Sequence, residues 1–188
     1  IEMLIADVSG HGLPGAFLAT ITKMAMEGVK EKKSTKEVLG FVNNVVYNKT
    51  VKNNYVTAFY SIIDTETMIM KYSNAGHFPP FIYRRETDEF ITLEAGGKPL
   101  GWLKTVELEE KSIQLKSGDR IILYTDGITE GSNYKREEFG IERFQKFIRK
   151  NSARAPRSFS NRLLDHLREC IGSESFDDDL CLIVFDVM

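Results

Sequence analysis

Acidic side chains at three distant points of the chain, Asp7, Asp126 and the run Asp177-Asp178-Asp179, adjoin apolar segments that read as strands. Asp7 closes Met3-Leu4-Ile5-Ala6. Asp126 closes Ile121-Ile122-Leu123-Tyr124-Thr125 and is followed by Gly127. The three aspartates open Leu180-Cys181-Leu182-Ile183-Val184-Phe185. If the last segment runs opposite to the other two, all three acidic positions fall along one edge of a sheet. Carboxylates gathered in this way repel and raise one another's pKa unless a cation compensates. An oxygen-only ligand set suits hard ions, Mg²⁺ or Mn²⁺, rather than zinc or copper. Taken singly, each acid reads more readily as a turn former, a helix cap or a solvated charge, and it is the three together at strand ends that favour a metal site. Asp7 resists that reading most, because an acid straight after a buried strand, with no basic neighbour, costs stability unless something neutralises it.

Gly10, Gly12 and Gly15 spell G-x-G-x-x-G between a strand and a helix, the pattern of a dinucleotide-binding turn. That turn requires a second parallel strand after its helix and an acid about 20 residues on. Here the region holds Glu31 in a charged helix tail, followed by another helix, so the context fails and a tight turn before a helix accounts for the glycines. His11 reads as a hydrogen-bonding turn residue, with proton donation to a leaving group as the sharper alternative. Gly76 has no side chain to block backbone approach to a site, and His77 beside it reads as pocket wall. His166 reads as solvated, and Lys98 as part of the connection Gly96–Gly101. Cys170 and Cys181 have neither metal-ligand spacing nor the number for a disulfide framework, so they read as buried thiols of a cytoplasmic protein. No Ser/His/Asp nucleophile set is present.

The elements that must position these residues are of two kinds. A helix from about Pro14 places Phe17, Ile21 and Met24 on one face. A second opens at Ser34 and Glu37 with capping-box spacing and continues through Val38, Leu39, Val42, Val45 and Val46. Tyr55–Ile63 and Thr67–Ser73 flank Asp64-Thr65-Glu66 as a hairpin, and Phe81–Tyr83 and Phe90–Thr92 flank another turn. Alternation at Val106, Leu108, Ile113 and Leu115 leads to the strand at 121–125. Two more helices carry the stripes Ile141, Phe144, Phe147, Ile148 and Phe159, Leu163, Leu167, Ile171. The closing run, apolar on both faces, predicts a strand buried on both sides. Helices in pairs and strands in hairpins predict a segregated α+β fold.

With 188 residues, 42% hydrophobic and 28% charged, the chain reads as one soluble globular domain over residues 1–188. A net charge of −2 offers no basic surface for nucleic acid. No apolar run approaches the roughly 20 residues of a membrane span. The start at Ile1-Glu2-Met3 is not a signal peptide and reads as a strand entered partway, so a fragment of a longer protein is expected.

Five ordered segments carry a family resemblance: Asp7-Val8-Ser9-Gly10-His11-Gly12, Asn74-Ala75-Gly76-His77 before further prolines, Pro99-Leu100-Gly101, Tyr124-Thr125-Asp126-Gly127, and Asp178-Asp179 before the last strand. Together they resemble the metal-dependent (PPM, type 2C) protein serine/threonine phosphatases, most closely the bacterial branch that controls sigma factors and sporulation. The resemblance implies an αββα four-layer sandwich of two antiparallel sheets flanked by helix pairs, N-terminally truncated by the family's first strand or strands. It implies two Mn²⁺ or Mg²⁺ ions. Asp7 would bridge them, the Val8 carbonyl would bind one, Asp126 and Asp178 would hold the second, and Asp179 would lie behind these ligands. Where the family has Thr in the last strand, this chain has Cys181. Hydroxide activated at the metals would hydrolyse phosphoserine or phosphothreonine, with Gly76 and His11 beside the substrate. The resemblance also implies an anti-sigma antagonist as substrate, an upstream sensor or receiver module through which the full-length protein could be membrane-anchored, and a homodimer among the permitted assemblies. The competing function is a catalytically inactive module that uses the same fold for binding; a nucleotide-binding oxidoreductase is a distant third.

Overall fold

The computed structural model describes residues 1–31, 33–49, 54–172, 176 and 178–188. In chain order the elements are β1 (Glu2–Val8), α1 (Gly12–Glu27), α2 (Thr35–Lys49), β2 (Val56–Asp64), β3 (Ile69–Ala75), β4 (Phe81–Arg84), β5 (Glu89–Thr92), β6 (Lys111–Gln114), β7 (Asp119–Tyr124), α3 (Gly127–Glu130), α4 (Gly140–Lys150), α5 (Pro156–Ile171) and β8 (Leu182–Asp186). They form two four-stranded antiparallel sheets, ordered β1-β2-β3-β6 and β5-β4-β7-β8. The α+β class and the separation of helices from strands are as expected. The chain divides into two compact units, Ile1–Pro79 with Leu93–Leu115, and Pro80–Thr92 with Lys116–Met188.

In the first unit, Val56, Ala58 and Tyr60 alternate along β2 and share a core with Leu18, Ala25 and Met26 of α1 and Val38, Leu39, Val42 and Val46 of α2. Period-2 and period-3.6 apolar stripes meet there, which is how a sheet face and a helix face bury each other. The stripe expected on α1 is rotated. Ile21 packs partly against the core, but Phe17 and Met24 are exposed, and the buried face is Gly15, Leu18, Thr22, Ala25 and Met26. Small side chains there let the helix lie close to its neighbours. The α2 start also differs. Ser34 does sit within 3.5 Å of the Glu37 amide, but the stronger cap is the Glu110 carboxylate, which accepts from Ser34 Oγ at 2.8 Å, Thr35 Oγ1 at 2.9 Å and the Thr35 amide. Partial burial pushes the Glu110 pKa up, but these bonds outweigh it and hold the carboxyl below its usual range. In the turn after β2, Asp64 Oδ1 accepts the amides of Glu66 and Thr67, as the hairpin signal predicted. Val106 and Leu108 lie outside β6, although Leu108 bridges Gly97.

In the second unit, Phe144, Phe147 and Ile148 of α4 and Phe159, Leu163 and Leu167 of α5 are buried against Phe81, Tyr83, Ile122 and Tyr124, while Ile141 is exposed. The rings of Phe81, Tyr124 and Phe144 stand 5.3–5.7 Å apart in tilted and edge-on pairs. Pro156 starts α5 and Gly172, at φ 74°, ends it with the left-handed cap. Three sequence readings change here. β8 is an edge strand, half-buried along its length rather than covered on both faces. Cys181 is exposed ahead of that strand, and Cys170 is only partly buried. His166 is not simply solvated, since its ring stacks on Phe147 at 5.1 Å and meets Phe139 edge-on at 5.8 Å. At the other end of β7, the fully buried Arg120 guanidinium binds both oxygens of Asp186, at 2.6 and 2.8 Å, and lies over the Phe159 ring.

Candidate functional site

The second unit assembles part of the acidic edge that the sequence predicts. β7 and β8 run antiparallel with Tyr124 opposite Leu182, so the end of one strand lies beside the start of the other. Thr125, buried, locks this junction. Its amide donates to the Cys181 carbonyl at 3.1 Å, its Oγ1 accepts from the Cys181 amide at 2.9 Å, and the same hydroxyl donates to the Asp179 carbonyl at 3.2 Å. Asp126 follows directly and caps α3, with Oδ1 accepting the Gly127 amide at 3.0 Å. Gly127 is required by this approach, because a Cβ there would stand 2.7 Å from the Asp179 carbonyl oxygen. Asp178 accepts the Asp179 amide through Oδ1 at 2.8 Å, and both aspartates are exposed. Asp177 lies outside the described residues.

The charges of this edge act on one another. Partial burial raises the pKa of Glu130, and the nearby carboxylates of Asp126, Glu138 and Asp178 raise it further. An excess of negative charge that lifts a neighbour's proton affinity is the condition a bound cation relieves. The donors are carboxylates, with neither thiolate nor imidazole among them, and so fit hard divalent ions. Among the described residues, no three His, Cys, Asp or Glu side chains gather into a ready metal cage. In this unit Asp126 and Asp178 are the sequence-predicted acids that flank the β7–β8 junction, and carbonyls and water commonly complete the shell of hard ions.

Asp7 and Val8 belong to the other sheet, so the expectation of three acids along the edge of one sheet is corrected. β1 pairs with β2, and β7 with β8, which divides the acids between two sheets. Asp7 also lies within β1, opposite Thr57, rather than after it, and is exposed. The cost of burying its charge therefore does not arise. Val8 is the last strand residue, opposite Val56. Beyond it, Ser9 and Tyr55 exchange bonds, the Ser9 amide to the Tyr55 carbonyl at 2.9 Å and the Tyr55 amide to Ser9 Oγ at 2.8 Å. Gly10 and Gly12 take φ of 87° and 71°, and a Cβ on Gly15 would meet the Gly10 oxygen at 2.8 Å. The glycines thus serve a tight turn into α1. With α1 followed by α2 and β1 antiparallel to β2, the dinucleotide reading is set aside. His11 sits exposed at the N-terminus of α1 and makes no side-chain cap.

His77 is buried, with Nδ1 2.9 Å from Oγ1 of Thr57, the cross-strand partner of Asp7. Asn74 fixes the same segment by accepting the His77 amide at 2.7 Å and donating to its carbonyl at 2.9 Å. Gly76, at φ 71°, packs so closely on Pro99 that a Cβ would stand 2.8 Å from its ring. Asn74, Gly76, His77 and Pro79 line a pocket together with Glu94–Gly97 and Lys111, and none of the candidate acids lines it. Sequence reasoning missed the parts played by Thr125 and Asn74. Their signal was position alone, next to motif residues, and a buried threonine or asparagine beside a charged turn is the trace such clamps leave.

These sheets and helices recur in PP2C phosphatase domains. The SiaA PP2C domain of Pseudomonas aeruginosa superposes with a TM-score of 0.89 at 17% identity, covering all of this chain and 76% of that one. The PP2C phosphatase domain of SpoIIE from Bacillus subtilis, solved with a fragment of its regulatory domain, gives 0.78 at 26% identity over 99% of this chain and 54% of that one. The PstP catalytic domain, solved with two manganese ions, gives 0.74 at 12% identity over 98% of this chain and 86% of that one. Fold and motifs together define a PPM-type phosphatase domain. Residues 1–188 match the profile of the stage II sporulation protein E (SpoIIE) family, and the chain belongs to that family. It is 30% identical over 187 residues to the phosphoserine phosphatase RsbU of Bacillus subtilis (strain 168), covering 98% of this chain and 55% of RsbU. The chain therefore spans about half the length of that relative. Among the described residues, no helix is long and apolar enough to cross a membrane.

Proposed function

We propose that this chain is a metal-dependent phosphatase that hydrolyses phosphoserine or phosphothreonine on a bacterial signalling protein of the anti-sigma antagonist type. The observation that carries the reading is the β7–β8 junction, where Thr125, next to Asp126, bonds to the backbone of Cys181 and of Asp179, the residue after Asp178, in a family whose named relative RsbU is a phosphoserine phosphatase. Asp7, the Val8 carbonyl, Asp126 and Asp178 would hold two Mn²⁺ or Mg²⁺ ions, with Asp179 behind them. When bound, such ions supply a water of near-neutral pKa and neutralise charge on the phosphoryl group. A fold neighbour solved with two manganese ions is in keeping with metal dependence.

The chain's own residues set the order of events. Asp126, Glu130, Glu138 and Asp178 would repel a phosphate dianion, so cations must bind before substrate. Asp126 keeps its orientation through the Gly127 amide, and Asp178 through the Asp179 amide. Gly76 would sit beside the substrate as a backbone contact, its missing side chain being accounted for by Pro99, and His11 is the candidate contact for the phosphoryl group and proton donor to the departing serine oxygen. A regulatory segment elsewhere in the full-length protein would govern access to the site, in keeping with the SpoIIE structure that includes part of one.

Phosphate release from p-nitrophenyl phosphate and from a phosphoserine protein tests the reading. Activity should require Mn²⁺ or Mg²⁺ and be lost in Asp126→Asn and Asp178→Asn. Turnover that survives both chelator and substitution would falsify the two-metal assignment. Metal binding without turnover in either assay would favour the inactive binding module.

A further inference from the structure

Tyr55, Trp102 and Leu103 are exposed although all three are large and apolar, and Trp102, the lone tryptophan of the chain, is 57% exposed. The Tyr55 and Trp102 rings lie 6.2 Å apart at 34° and form one shelf. The loop that presents Trp102 is rigidly built. Asn43, buried in α2, accepts the Gly101 amide at 2.8 Å and donates to the carbonyls of Leu103 and Lys104 at 3.2 Å each. Leu100 exchanges backbone bonds with Val56 at 2.8 and 2.9 Å. Gly101 has φ 81°, and a Cβ on it would reach 2.5 Å from the Val46 side chain. A buried amide and a glycine in the left-handed region thus hold an exposed tryptophan in one place. Fixed aromatic side chains of this kind are the usual anchors of protein recognition.

The shelf is also tied to the candidate site. Tyr55 exchanges its backbone bonds with Ser9, two residues after Asp7, while Val8 and Leu100 flank Val56 on opposite sides. Two inter-strand spacings, roughly 10 Å, separate the Val8 and Leu100 backbones, and Trp102 is two residues further on, so the path from Val8 to Trp102 is on the order of 10–17 Å. An extended peptide covers that distance in about three to five residues.

We infer that the Tyr55–Trp102 shelf docks the substrate segment itself, by seating a bulky apolar side chain three to five residues from the phosphoserine. The inference rests on the phosphatase reading and adds to it a rule of substrate selection. The rule makes activity on a protein depend on a residue away from the phosphate, whereas a small aryl phosphate cannot reach the shelf.

Phosphoserine peptides carrying a single Leu at positions three to five on either side, against an all-Ala phosphopeptide, provide the test. Binding is read from the intrinsic fluorescence of Trp102 in the unaltered chain with Mn²⁺ present, using the same peptides with a non-hydrolysable phosphonate in place of phosphoserine, and turnover is read with the phosphopeptides themselves. The expected result is a saturable emission change with the Leu peptide and none with the all-Ala peptide. In Trp102→Ala, and in Tyr55→Ala, the ratio of KM for the Leu peptide to KM for p-nitrophenyl phosphate should rise about tenfold, with Trp102→Phe close to the parent. An unaltered ratio, or equal emission changes with both peptides, overturns the inference. So does an emission change that follows chain concentration rather than peptide, which would mean that a second copy covers the shelf. Failure of the phosphatase reading is distinguishable, because p-nitrophenyl phosphate would then not be hydrolysed at all. In that event the fluorescence titration alone decides.

Discussion

Replacing Thr125 by valine keeps the side chain's shape and deletes its hydroxyl, so it isolates the clamp between β7 and the segment that carries Asp178. The hydroxyl makes one good bond, from the Cys181 amide at 2.9 Å, and one longer bond, to the Asp179 carbonyl at 3.2 Å. A net contribution of about 0.5–1.5 kcal/mol for each such bond puts the loss near 1–2 kcal/mol, the longer bond and the exposure around Cys181 keeping it toward the lower end. The backbone bond from the Thr125 amide to Cys181 remains, so β8 should stay paired while Asp178 loses its fixed place. Side chains that orient metal ligands typically cost 10–100-fold in metal affinity when removed. Urea unfolding in chelator should show the loss of about 1–2 kcal/mol. A Mn²⁺ titration of phosphatase activity should show a half-saturating concentration at least about tenfold higher. Thr125→Ser, which restores the hydroxyl, should recover most of both. A valine variant that is less stable but binds Mn²⁺ like the parent would refute the argument that the clamp positions Asp178. A serine variant as impaired as valine would show that the hydroxyl is not the operative group.

Three further outcomes follow from bonds described above. Glu110→Gln should weaken the α2 cap by about 1 kcal/mol, read as a lower urea midpoint. The Glu110 and Asp186 carboxyls are both held below their usual range. For Asp186 burial works against this, and the bonds and charges of Arg120 and Arg85 outweigh it. A depressed carboxylate pKa gives stability that is complete above the unfolded-state pKa and is lost as pH falls through the folded-state pKa. Unfolding free energy should therefore decline on acidification below the ordinary carboxylate range, and less steeply in Glu110→Gln. Asp186→Asn, which leaves the buried Arg120 charge without its main partner, should cost about 3–5 kcal/mol, whereas Arg120→Met should cost much less. Equal melting temperatures for those two variants would contradict the buried-pair account.

Much of the fold was legible because apolar period decides it. The hairpin around Asp64, the paired helices and the stripes of α4 and α5 all follow from spacing. α1 was misread because Phe17-Ile21-Met24 and Leu18-Thr22-Ala25 have the same helical spacing, and only the elements packed beside the helix select between them. β8 was misread because an apolar run does not reveal whether a strand has one neighbour or two. At the site, Asp126, Asp178, Gly76 and the glycine turn stood out through residue type. Thr57 meets both the Asp7 carbonyl and the His77 ring, 50 residues from one and 20 from the other, and no local pattern indicates that meeting.

Both compact units are discontinuous in the chain. The hairpin β4–β5 leaves the first unit for the second, residues 93–115 return, and the chain then departs again. During synthesis the first sheet cannot be completed until β6 has emerged, the second edge of β4 waits for β7, and that of β7 for β8. Such long-range closure favours slow folding and exposes unpaired strands in the interim. It also means that no single cut yields two self-sufficient halves. A protease nick between residues 93 and 115 would sever the first unit, and loss of Leu182–Asp186 would strip the second of the strand that pairs with β7.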